Sequence, residues 1–248
     1  MKEPQMWAGG MDSVAPVDLS TLKQVVKEEM VLLTAKTMQR TAVFVTFGGL
    51  VTSLITTFLP LWKTMNSDLN EVENWYSGLW HMCLYTEEVG VQCKAYDSLL
   101  GLPVDLQIAR VLMLMSVCIG ALALLVALPG LDGVHVCLDQ PGKRRRLLVL
   151  GGVLAWVSGF STLVPVSIVA YNTVVEFWDR GFPDVMPRWE HGEAMFSGWF
   201  GGLALITGGT LFFVAVCMAD YDTHTHCVTN NNTHVAHRTQ HYRKTEVL

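Results

Sequence analysis

Cys83 and Cys93 stand with nine residues between them, in a stretch that also holds Trp62, Gly78, Leu79 and Trp80. The chemistry open to such a pair is oxidation to a disulfide. That bond would pin two arms of a short hairpin and stabilise it by roughly 2–3 kcal/mol through loop closure. Glu87 and Glu88 lie between the cysteines and Lys94 follows the second, so the hairpin carries fixed charge of both signs. Cys137 and Cys227 lie outside the apolar runs and Cys217 at the end of one, and all three are candidates for palmitoylation, whereas Cys118 falls in the middle of a run and is expected to pack as a small apolar side chain. His224, His226, Cys227, His234, His237 and His241 match no closed tetrahedral metal site, and their segment lacks the apolar residues to hold one. No metal is expected there; a flexible polar tail is. The sequence offers no nucleophile–base pair, phosphate-binding loop or dinucleotide fingerprint. It predicts neither an enzyme, nor a cofactor, nor a nucleic-acid partner.

Four uncharged runs must position these residues: Thr41–Leu61, Val111–Leu131, Leu147–Tyr171 and Ala194–Ala219. The shortest would form a helix about 31 Å long, against a hydrocarbon core of roughly 30 Å. Lipid offers backbone amides no partner, so each run should be helical. The expected fold class is membrane α-helical: a four-transmembrane-helix bundle with a small extracellular antiparallel β-sheet. With both termini in the cytoplasm, twelve of the Lys and Arg residues lie inside and five outside, which satisfies the positive-inside rule. Residues 62–110 and 172–193 are then outer loops, and Cys83 and Cys93 face an oxidising compartment. Alternating segments over Trp80–Leu84 and Val91–Ala95, joined around Glu87–Gly90, predict two antiparallel strands. Residues 1–40 read as a cytoplasmic extension with an amphipathic segment over Leu22–Leu33, and 220–248 as a cytoplasmic His-rich tail. Gly198 and Gly202 stand at the spacing that lets helices approach closely, and Pro165 should bend the third span.

Taken separately, Trp62, Trp80 and Arg110 read as interface aromatics and a snorkelling cation. Their joint order, Trp62, then Gly78-Leu79-Trp80, then Cys83 and Cys93, with Arg110 at the head of the second span, resembles the signature of the claudin family. The block Gln92-Cys93-Lys94-Ala95-Tyr96-Asp97-Ser98-Leu99-Leu100 strengthens the resemblance, as does Glu190-His191-Gly192-Glu193-Ala194-Met195-Phe196-Ser197-Gly198-Trp199. Leu59-Pro60-Leu61-Trp62-Lys63 and Asp68-Leu69-Asn70-Glu71 point to the branch holding claudins twenty-two and twenty-four. The resemblance covers about residues 41–219.

It implies a structural component of tight junctions in the plasma membrane. Such a protein binds itself and other claudins within and between membranes, in contact with membrane lipid, and forms a paracellular barrier or ion-selective pore. By the same resemblance Gly78-Leu79-Trp80 seats the outer sheet on the bundle with Arg110 beneath it, and Phe177-Trp178 contacts a claudin on the facing cell. Lys94 would lie near the conduction path and disfavour cations, with Glu87 and Glu88 as opposing charges. Leu248 is a candidate ligand for a PDZ scaffold, although Glu246 makes it atypical. Met38 matches an ordinary claudin start, so residues 1–37 are expected to be dispensable. Calcium-channel gamma relatives share the Gly-Leu-Trp-x-x-Cys core and supply the alternative, a regulatory subunit of another complex. The Gln92–Leu100 block favours the claudin reading.

Overall fold

The computed structural model describes residues 19–66, 73–98, 102–131, 141–178 and 188–245. Four helices carry it: α1 (Leu19–Phe58), α2 (Val104–Ala127), α3 (Pro141–Phe177) and α4 (Glu193–Thr245). Each holds a segment long and apolar enough to cross a membrane: Leu33–Phe58, Val104–Gly130, Gly142–Phe177 and Glu193–Ala219. The chain is a multi-pass membrane protein. Phe44, Val111, Leu125, Phe160 and Phe200 stand exposed on the outside of the helices, where lipid replaces water as solvent.

Prolines punctuate the helices. α1 stops two residues before Pro60, and α2 begins directly after Pro103, whose carbonyl accepts from the Leu106 and Gln107 amides. A 3₁₀ turn over Leu128–Gly130, with Pro129 inside it, closes α2, and Pro141 opens α3, where its missing amide costs nothing. Pro165 lies within α3, which stays one element.

Inside the bundle α1 packs along α4, and α3 packs against both α2 and α4. Small residues set these distances. A Cβ on Gly49 would fall 2.9 Å from the Leu205 amide nitrogen. Gly198 and Gly202 turn toward α3, where added methyls would meet Val166 and Leu163 at 2.7 Å. Hydroxyls bind α2 to α3: Ser116 Oγ reaches the Ser158 carbonyl and Ser158 Oγ the Ser116 carbonyl, each at 2.8 Å. Thr162 Oγ1 lies 2.6 Å from Ser116 Oγ.

At one end of the bundle sits a five-stranded antiparallel sheet of β1 (Lys63–Asn66), β2 (Glu73–Ser77), β3 (His81–Thr86), β4 (Gly90–Ala95) and β5 (Arg188–His191). Its spatial order is β4-β3-β2-β1-β5. The expected hairpin is β3–β4, with Cys83 opposite Cys93 and Gly90 at φ 79° in the turn, a conformation glycine adopts without strain. β1, β2 and β5 were not anticipated from the residues.

Both end segments continue the bundle helices. Leu22–Leu33 is helical, as expected, and runs without a break into the first span: α1 is continuous from Leu19, because no glycine or proline lies between Pro16 and Gly48. Ala35 and Gln39 are already buried, so packing into the bundle starts before residue 41. The His-rich segment continues α4 to Thr245 instead of forming a flexible tail, and residues 210–245 likewise contain no glycine or proline. The side chains of 220–248 lie outside the described residues, and with them the histidine cluster, Cys227 and Leu248. Cys137 lies outside them as well.

Candidate functional site

The joint between sheet and bundle gathers the residues singled out by spacing. A helix leaves its last carbonyls without amide partners, and in a membrane such orphans are costly. In α1 the Trp62 indole N–H donates to the Thr56 carbonyl at 2.9 Å and the Trp80 indole N–H to the Thr57 carbonyl at 2.9 Å. The two tryptophans therefore cap α1. Trp62 is fully buried, not an interface aromatic.

Gly78 passes so near the chain at Pro60 that a Cβ would sit 2.4 Å from the Pro60 Cα, and its amide donates to the His81 carbonyl. Leu79 is fully buried, and its carbonyl accepts from Arg110 Nε. Arg110 does not snorkel. It is 7% exposed, with its guanidinium 5.1 Å from the Trp80 ring centre and 5.4 Å from that of Tyr96. A cation held between aromatic faces is stabilised by their quadrupoles. Tyr96 Oη completes the joint, 2.9 Å from Ser77 Oγ and donating to the Gly78 carbonyl at 3.3 Å.

A second pin had no signal in the sequence. Lys63, 4% exposed, lies 3.5 Å from Asp105 Oδ2 at the start of α2 and 3.3 Å from Glu176 Oε2 near the end of α3. Asp105 also accepts from the Leu106 amide at 2.9 Å, in the first turn, where the helix dipole favours an acid. The only local cue was an acid just after a helix-starting proline; nothing pointed it to a lysine 42 positions earlier.

Above this joint, β3 and β4 are bonded through Cys83 and Cys93. One face of the sheet forms a hollow of about 400 Å³ lined in part by Trp75, Met82, Leu84, Gln92, Lys94 and Asp97. Lys94 is exposed there and donates to Asp97 Oδ2 at 2.8 Å. That hydrogen bond, and next the charge of the Asp97 carboxylate, raise the lysine pKa above its ordinary value. The carboxylate opposing Lys94 is thus Asp97. Glu87 and Glu88 lie in the exposed turn at the far end of the hairpin, beyond the Thr86–Gly90 pair, whereas Lys94 pairs with Met82. Phe177 ends α3 in edge contact with Trp178, which is 73% exposed, and Arg188 of β5 donates to the Phe177 carbonyl. Cys118 and Cys217 are exposed on the helix surface.

This architecture, four spans carrying a stapled sheet seated by a Trp/Gly-Leu-Trp/Arg cluster, has relatives. The sequence profile of the PMP-22/EMP/MP20/Claudin family matches residues 36–212. Mouse claudin-8 is 32% identical over 199 residues, covering 77% of this chain and 88% of that protein. Human claudin-6 is 33% identical over 70% of this chain and 80% of its own length. Dog claudin-3 is 33% identical over 66% and 75%. The chain belongs to the claudin family. In this claudin the family match begins at residue 36, so the first seventeen residues of α1 lie outside it.

Proposed function

We propose that this claudin is a structural component of tight junctions, without enzymatic activity, with both termini in the cytoplasm and its sheet outside the cell. It polymerises side by side in one membrane and meets claudins of the facing cell, closing or filtering the route between cells. The observation that carries this reading is the exposed edge of the sheet. β4 pairs with β3 on one side only, and Val91 through Ala95 are all exposed. An unpaired strand edge is a template for association with another chain. Val89 and Val91, each more than 60% exposed, give that edge an apolar rim, and Trp178 offers a separate aromatic contact toward the facing cell. Ions would pass along the hollow, where the Lys94–Asp97 pair is the nearest fixed charge.

The test is expression in cells lacking endogenous strands, with freeze-fracture imaging and dilution-potential recording. Continuous intramembrane strands at cell contacts and a changed transepithelial resistance are expected. Normal surface delivery with neither strands nor a resistance change would refute the reading.

A further inference from the structure

At the end of the bundle opposite the sheet, a groove of about 730 Å³ opens between α1, α3 and α4. Trp156 of α3, Phe213, Val214 and Cys217 of α4, and Met30 and Lys27 of α1 line it. Apart from Lys27 and two threonines the lining is apolar, and the volume falls within the range of small-ligand sites. The Trp156 indole N–H is already engaged by the Ile206 carbonyl and Thr210 Oγ1, so it is not free to bind a polar ligand group.

Its position relative to the bilayer decides what fills it. The apolar segment of α1 begins at Leu33 and that of α4 ends at Ala219, so Phe213 to Cys217 lie within the last turns of a span. Lys27 stands six residues before Leu33, about 9 Å along the helix, the depth of a headgroup layer beside the hydrocarbon core. Lys23 is one turn further on the same face, also exposed. Neither lysine has an ionic partner among the described residues. Glu29, two positions from Lys27, points to the opposite side of the helix.

We infer that the groove holds one acyl chain of an anionic phospholipid, with the Lys27 ammonium on its phosphate and Lys23 adding to the attraction. The lipid tail lies against Met30, Val214 and Phe213, and the headgroup stays at the level of Lys27. Lys27, Met30 and Thr34 precede the family match, so the extension of α1 supplies the cation and one side of the site, while Trp156 and Thr210 come from the shared bundle. The inference rests on the membrane placement of the helices. It does not need the junctional role, and symmetric vesicles make the test blind to orientation.

The experiment reconstitutes the full chain in phosphatidylcholine vesicles containing one of two probes, phosphatidylserine or phosphatidylcholine with a photoactivatable group midway along an acyl chain. Cross-linked peptides are then mapped. The phosphatidylserine probe is expected to mark the α1 and α4 groove segments at least fivefold above the phosphatidylcholine probe. Lys27→Glu should abolish that preference, and Val214→Trp should remove groove labelling by either probe; Thr34→Trp serves if the Val214 variant does not fold. Equal labelling by both probes in the wild type would overturn the inference. So would groove labelling that survives the tryptophan variants, since the probe would then be reporting the general lipid shell. Groove labelling seen only after Cys217→Ser would overturn it too, by showing that a chain tethered at that cysteine is the occupant.

Discussion

Lys63 and Asp105 hold opposite charges 3.5 Å apart with side-chain exposures of only 6% and 7%, while Glu176, half exposed, closes the group from the solvent side. Removing one partner of a buried pair leaves an uncompensated charge and typically costs about 3–5 kcal/mol. Lys63→Met should therefore lower the thermal unfolding midpoint in detergent markedly, and Lys63→Met with Asp105→Leu should recover most of the loss. The disulfide acts at the same scale. Alanine at Cys83, Cys93 or both should remove roughly 2–3 kcal/mol from the hairpin, abolishing junctional resistance while the spans still insert; unchanged resistance would refute this. Lys94 is different, because its partner Asp97 already neutralises it locally. Lys94→Asp replaces a paired cation with two adjacent acids. At about 1 kcal/mol for unit charges 4 Å apart in water, the sodium-to-chloride permeability ratio should rise up to about fivefold, within the ~8 Å reach of unscreened charge. No rise at correctly localised junctions would take Lys94 out of the conduction path.

The elements that seat the sheet use backbone carbonyls as well as apolar contact. Trp62→Phe keeps a ring in the joint but leaves the Thr56 carbonyl without its indole donor, at a cost of about 1–3 kcal/mol for a buried acceptor. The expected result is a lowered unfolding midpoint and reduced arrival at the cell surface; wild-type values of both would refute the capping role. The hairpin and the spans were legible beforehand because their signals are local: alternation over six residues, a cysteine pair, and long uncharged runs. The β1–β5 pair was not. Lys63–Asn66 and Arg188–His191 are four residues each, carry charge, and meet across more than 120 positions, so no window of sequence contains both. The cluster of Trp62, Gly78, Leu79, Trp80 and Arg110 was legible through the family pattern, but the reason for it, two indoles satisfying the end of α1, emerges only from geometry. Nothing in the order Lys94-Ala95-Tyr96-Asp97 signalled that the acid would turn back onto the lysine.

At the scale of the molecule, α1 spans 40 residues, about 60 Å as helix and twice what a hydrocarbon core requires. A chain begun at Met38 keeps the whole joint and most of the packed part of α1. It should reach cell contacts and change resistance as the full chain does, while losing groove labelling by the phosphatidylserine probe. Failure to reach contacts would make the extension essential to the junctional role. The placement of β1 between β2 and β5 also bears on how the protein is made. β1 and β2 leave the ribosome early, but β5 follows α3, so Gly192 can donate to the Trp62 carbonyl only once three of the four helices have been made. The hairpin can oxidise long before this, yet one long flank of β1 stays bare until then. The closed sheet thus records that the third helix has brought the chain back to the end of the first, whether or not the fourth is yet in place.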